Sequence, residues 1–150
     1  MDVRLLAAAV PPFYFPHTWG HIHPILVNFT AALVPISFLC DVLGRARRNQ
    51  SLTNAGWWTI LFAACITPLT GIAGLMWKQS VADMAPADLL RVHQWLGITL
   101  AVVLIVLAVW RSRYHSRALA PAVGYLVVAF IAVVALVYQG SLGGAMLFGP

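Results

Sequence analysis

The sequence predicts an all-α integral membrane protein: an up-down four-helix bundle with both termini extracytoplasmic. Three observations lead there. Of the 150 residues, 61% are hydrophobic and 9% charged, where soluble domains run nearer one half and one quarter. Four apolar runs are each long enough to cross a hydrocarbon core, which takes about 20 helical residues. The basic residues then alternate between the joins. Arg45, Arg47 and Arg48 follow the first span and Arg111, Arg113 and Arg117 the third, whereas the middle join carries Lys78 and Arg91 beside Asp83 and Asp88. Lysine and arginine gather on the cytoplasmic side, so the termini and the middle join face outward. The membrane is then the bacterial inner membrane, crossed several times.

The spans read in order as Pro24–Gly44, Trp57–Trp77, Val92–Trp110 and Leu119–Tyr138. Ahead of them, residues 1–22 read as an interfacial N-terminal segment. Its apolar stretch, Leu5 to Val10, is short for a signal sequence and runs into Pro11 and Pro12. Phe13, Tyr14, Phe15 and Trp19 suit headgroup depth. Residues 23–150 form the bundle. Pro35 and Pro68 fall inside the first two spans and each removes a helical hydrogen bond; Ser37, Thr67 and Thr70 are placed to meet the freed carbonyls. The short joins make successive helices antiparallel neighbours, and the middle join has room for a short surface helix.

Composition narrows the function. Glu is absent, and nine basic residues against four Asp give a net charge of +5. Most of the arginines flank spans, where topology and anionic lipid account for them, and nucleic acid is not implied. Cys40 and Cys65 both lie in apolar runs with no CxxC spacing, which argues for small packing residues rather than a thiolate metal site or covalent haem. There is no nucleophile–base set, no phosphate loop and no paired carboxylates, so a stand-alone hydrolase or transferase is disfavoured. Asp41 stands four residues before Arg45 and reads as its local ion-pair partner. His115, among arginines, reads as solvated. Transport is disfavoured, because the midplane offers almost no ionisable group and no inverted repeat is evident.

What remains is concentrated at the outer level. His23 opens the first span and His93 the third. Polar groups at a bilayer entrance carry a free-energy penalty, and two imidazoles at one depth in a helical bundle suit the axial positions of a haem iron. His21 is an alternative ligand or a hydrogen-bonding partner of one. Gly71, Gly74 and Gly97 share that level, with Gly140, Gly143 and Gly144 beyond the last span. Gly97 lies one turn deeper than His93 on the same face. Glycine lets a helix or a flat macrocycle approach the backbone closely. His17, His21 and His23 also form an H-x3-H-x-H pattern, a weak zinc or copper signal.

The run HPILVNFTAALVPISFLCDVLG (His23–Gly44), with TGIAGL (Thr70–Leu75), VHQWLG (Val92–Gly97) and YQGSLGGAMLF (Tyr138–Phe148), resembles a bacterial family called domain of unknown function 2231. The resemblance implies a four-helix membrane protein and points to His23, Pro24, Asp41, Gly71, Gly74, His93, Gly143 and Gly144. The chain departs from it at Asn28, where members often have His, and at Thr30, where they often have Pro. Members also occur beside redox modules such as Rieske-type domains, which implies a part in membrane electron transfer.

The expectation is therefore a small b-type cytochrome subunit. It would hold haem b between His23 and His93 and pass electrons between an extracytoplasmic partner, such as a c-type cytochrome or a dehydrogenase, and membrane quinone. The alternative is a cofactor-free accessory subunit packing against other membrane subunits.

Overall fold

The computed structural model describes residues 18–82 and 85–148. Most of the interfacial segment expected over residues 1–22, His17 included, lies outside the described residues. Its last four residues form a 3-10 turn, Trp19–Ile22. Four α-helices follow: α1 His23–Ala46, α2 Gln50–Val81, α3 Ala87–His115 and α4 Val123–Phe148. Each is long and apolar enough to cross a membrane, and the protein is a multi-pass membrane protein. Among the described residues there is no strand.

The helices outrun the expected spans, because an apolar run marks only the part that crosses hydrocarbon. α2 and α3 project beyond the spans toward the middle join. The surface helix expected in that join is not a separate element among the described residues, since its helical residues belong to the ends of α2 and α3. α4 begins at Val123 rather than Leu119 and continues through Gly140, Gly143 and Gly144.

Both turns at the arginine-rich end close in the same way. Asn49 N–H donates to the Gly44 carbonyl and Leu119 N–H to the Tyr114 carbonyl, each at 2.9 Å. Arg48 and Ala118 adopt positive φ, 50° and 53°. This is the six-to-one closure that glycine commonly serves. The Asn49 side chain then accepts from Leu52 N–H at 3.1 Å and caps α2.

The prolines lie within continuous helices. The nearby hydroxyls have other partners than the carbonyls they were expected to meet. Ser37 donates to the Gly56 carbonyl at 2.7 Å, Thr67 to Ala63 at 2.6 Å and Thr70 to Ile66 at 3.0 Å. Thr30 and Thr67 also pair across α1 and α2 at 3.2 Å.

The helices form a ring in which each packs on its chain neighbours and α4 closes on α1. Ala63, Ala108, Ala129 and Ala132, with Val34, Ile60, Leu104, Leu107 and Tyr125, make the core. Small residues allow close approach where lipid supplies no hydrophobic drive. Phe62, Val106, Ile131 and Val137 are more than half exposed and face the hydrocarbon. Cys40 is half-buried and Cys65 exposed; the buried packing role expected of Cys65 is not what it has, because its side of α2 faces outward.

Across the ring, α1 and α3 are bridged by side chains. At the arginine-rich end Asp41 is 0% and Arg111 1% exposed. Arg111 Nε reaches both Asp41 oxygens at 3.1 and 3.0 Å, and Nη2 reaches Oδ1 at 2.9 Å. Nη2 also donates to the Thr53 carbonyl at 2.7 Å, so one guanidinium joins three helices. Asp41 is thus not the local partner of Arg45. Its side of α1 faces the interior, and Arg45 instead donates to the Pro121 carbonyl at 3.0 Å. Gly56 leaves the room: a Cβ there would lie 2.5 Å from Asp41 Oδ1. His115 likewise is not simply solvated but stacks on Trp57, with ring centroids 4.9 Å apart.

Removing one member of a buried pair strands the other charge, at about 3–5 kcal/mol. Arg111→Ala is expected to lose about that much in detergent unfolding. Asp41→Leu combined with Arg111→Met is expected to recover most of it.

Candidate functional site

The site occupies the opposite end of the same diagonal. His23 is the first residue of α1, placed there by the 3-10 turn and followed by Pro24, whose fixed φ suits a first helical turn. Its Nδ1 lies 2.8 Å from the Thr70 carbonyl. A carbonyl only accepts, so Nδ1 carries the proton and Nε2 keeps its lone pair. The ring rests on Gly74, where a Cβ would lie 2.8 Å from Cε1.

His93 stands on the second turn of α3, facing His23. The ring centroids are 6.4 Å apart and the planes meet at 78°. The amide nitrogen of Gln139, on α4, is 2.9 Å from the His93 carbonyl and 3.2 Å from His93 Nε2. His93 Nδ1 and Gln139 Oε1 are buried without a hydrogen-bond partner.

Three glycines thus serve as seats. His23 sits on Gly74, and the Gln139 amide on Gly97, where a Cβ would be 3.1 Å from Nε2. His93 lies against Gly143, where the corresponding distance to Cε1 is 3.4 Å. The gap expected over Gly97 therefore holds an amide. Gly71 differs, because nothing stands within 4 Å of where its Cβ would be, and it borders a cavity. That cavity is about 330 Å³, lined from all four helices by His23, Thr70, Gly71, His93, Gly97 and Gln139 among others. The volume is at the lower end of the roughly 300–1,000 Å³ usual for ligand sites.

His21 turns to Trp77, edge-on with centroids 6.3 Å apart, and Trp77 also flanks His23 at 6.1 Å. Among the described residues there is no group of three His, Cys, Asp or Glu that could hold a metal ion. Asn28 and Thr30 both border the cavity.

Of the expected site residues, His23, His93, Gly71, Gly74 and Gly97 come together. Gln139 was missed. Its signal was present, as an amide one residue beyond the last apolar run at the depth of His93. The Thr70 contact is made by a backbone carbonyl, which no side-chain pattern announces.

A family profile described as "Predicted membrane protein (DUF2231)" matches residues 20–149. Neither the curated proteins nor the solved structures compared with the sequence gave a match.

Gly74→Ala drives a methyl into the His23 ring and is expected to lower stability by about 1–3 kcal/mol. Gly71→Ala enters open space and should be neutral or stabilising by up to about 1 kcal/mol. Paired unfolding curves in detergent would separate the two.

Proposed function

Because the chain belongs to the DUF2231 family of predicted membrane proteins and pairs two histidines across its bundle, we propose that it is a small b-type cytochrome subunit with His23 and His93 as axial ligands. The observation that carries this reading is the imidazole pair, 6.4 Å between centroids beside a cavity bounded by glycine. Metal–imidazole bonds are about 2 Å, so rings at this separation are close enough to share one metal once both Nε2 atoms turn to it; here His93 Nε2 is turned to the Gln139 amide instead. The donors also fit in kind. His23 donates Nδ1–H to a backbone carbonyl, the support that ligating histidines usually have, and keeps Nε2 for a metal. A haem held by His23 and His93 would supply single-electron transfer.

The remaining groups position and exclude. Thr70 fixes the His23 ring and Gln139 the His93 ring, while Gly71 keeps the space beside them clear. Trp77 flanks His23 and lines the same cavity. In the orientation expected from the arginine-rich joins, the site would open to the extracytoplasmic face of a bacterial inner membrane. An external c-type cytochrome or dehydrogenase would reach it there, and quinone would reach it from the bilayer.

An oxidised-minus-reduced spectrum of the purified protein, with a pyridine-haemochrome assay, tests the proposal. Wild type is expected to show an α-band of haem b that is lost in His23→Ala and His93→Ala. His93→Met should retain a band with raised potential, since thioether ligation raises it. No band in wild type would overturn the reading. For orientation, a phosphatase reporter joined behind Pro150 is expected to be active, and one inserted at Arg47 inactive.

One observation favours a second reading, a cofactor-free accessory subunit: the Gln139 amide is itself a partner for His93 Nε2. That reading expects fixed-stoichiometry co-purification with other membrane subunits and no absorbance beyond the protein band.

A further inference from the structure

The Gln139 amide determines where the proton sits on His93. Its terminal atom lies 2.9 Å from the His93 carbonyl. Were that atom the amide oxygen, two acceptors would face each other at that distance, so it must be the nitrogen. The NH2 group has two hydrogens. One goes to the carbonyl, and the other points to His93 Nε2 at 3.2 Å. Nε2 therefore accepts, and the ring proton is on Nδ1. Both histidines are then Nδ1–H tautomers with a lone pair on Nε2, but by different means. A carbonyl behind His23 holds its proton and leaves the lone pair open; an amide in front of His93 occupies the lone pair itself.

We propose that Gln139 is the positioning residue of this site: it selects the tautomer of His93 that keeps a lone pair on Nε2 and caps that atom, so that Gln139 would have to withdraw before His93 could hold a metal. The inference about withdrawal rests on the haem reading; the tautomer assignment does not. Gly97 has the matching role, since a side chain there would close the seat from which the amide reaches His93. Loading the site would then be ordered, with His23 available at once and His93 only after Gln139 withdraws.

The test uses the full chain in detergent micelles, labelled with 15N at histidine. In the ligand-free wild type, His93 is expected to show a protonated Nδ1 and a lone-pair Nε2. In Q139E the carboxylate cannot donate, and the proton should move to Nε2; in Q139L the spectrum should shift toward the same form or a mixture. An Nε2–H signal in wild type, or an unchanged spectrum in both variants, overturns the assignment.

Titration with haemin forms the second arm. Releasing one hydrogen bond should tighten binding in Q139L by about two- to tenfold. Equal or weaker binding in Q139L overturns withdrawal, because the amide would then support the loaded state. Absence of haemin binding in both wild type and Q139L overturns the haem reading itself, and the 15N spectra still judge the tautomer.

Discussion

The hydrocarbon interior offers no hydrogen bonds, so each polar side chain that enters it must find its partner inside the bundle. Almost everything specific in this structure follows from that constraint. Four apolar helices could pack in many rotations and offsets, since one greasy face resembles another to lipid and to protein alike. The Asp41–Arg111 pair removes that freedom, because an unpaired charge at 0% exposure is too costly to tolerate. With Thr53 as third partner, it sets the rotation of α1 and α3 and the approach of α2.

The other end of the same diagonal repeats the logic with neutral groups. His23 and Asp41 are 18 residues apart in α1, and His93 and Arg111 are 18 apart in α3. At 3.6 residues per turn that is five turns and about 27 Å, so each helix presents both of its polar residues along one line. The two helices run parallel as alternate spans. Fixing the ion pair therefore brings the imidazoles to one level across the bundle as well, edge to face. The geometry of the candidate site is partly a consequence of the clamp at the far end.

The glycines complete the arrangement by subtraction. Gly56 gives way to Asp41, Gly74 to His23 and Gly97 to Gln139. In each case the polar side chain lies against a stretch of the neighbouring helix that carries no Cβ. Gly71 has no such neighbour, and it borders the cavity lined by the two histidines.

Span number, antiparallel order and the level shared by His23 and His93 were legible in the sequence. They follow from the length and polarity of local runs and from the fixed rise of a helix. The 18-residue repeat was legible as well, though its meaning depends on knowing that Arg111 lies inside the membrane domain and not in a loop. Partner choice was not legible. Asp41 had Arg45 one turn away, and only the rotation of α1 in the ring sends it to Arg111. Gln139 was legible as an amide at the depth of His93 but not as its partner, and the Thr70 carbonyl gave no sign of holding His23. Those contacts join residues 46 to 70 positions apart, so they belong to the packed bundle, where hydrogen-bonding groups without water must pair across helices.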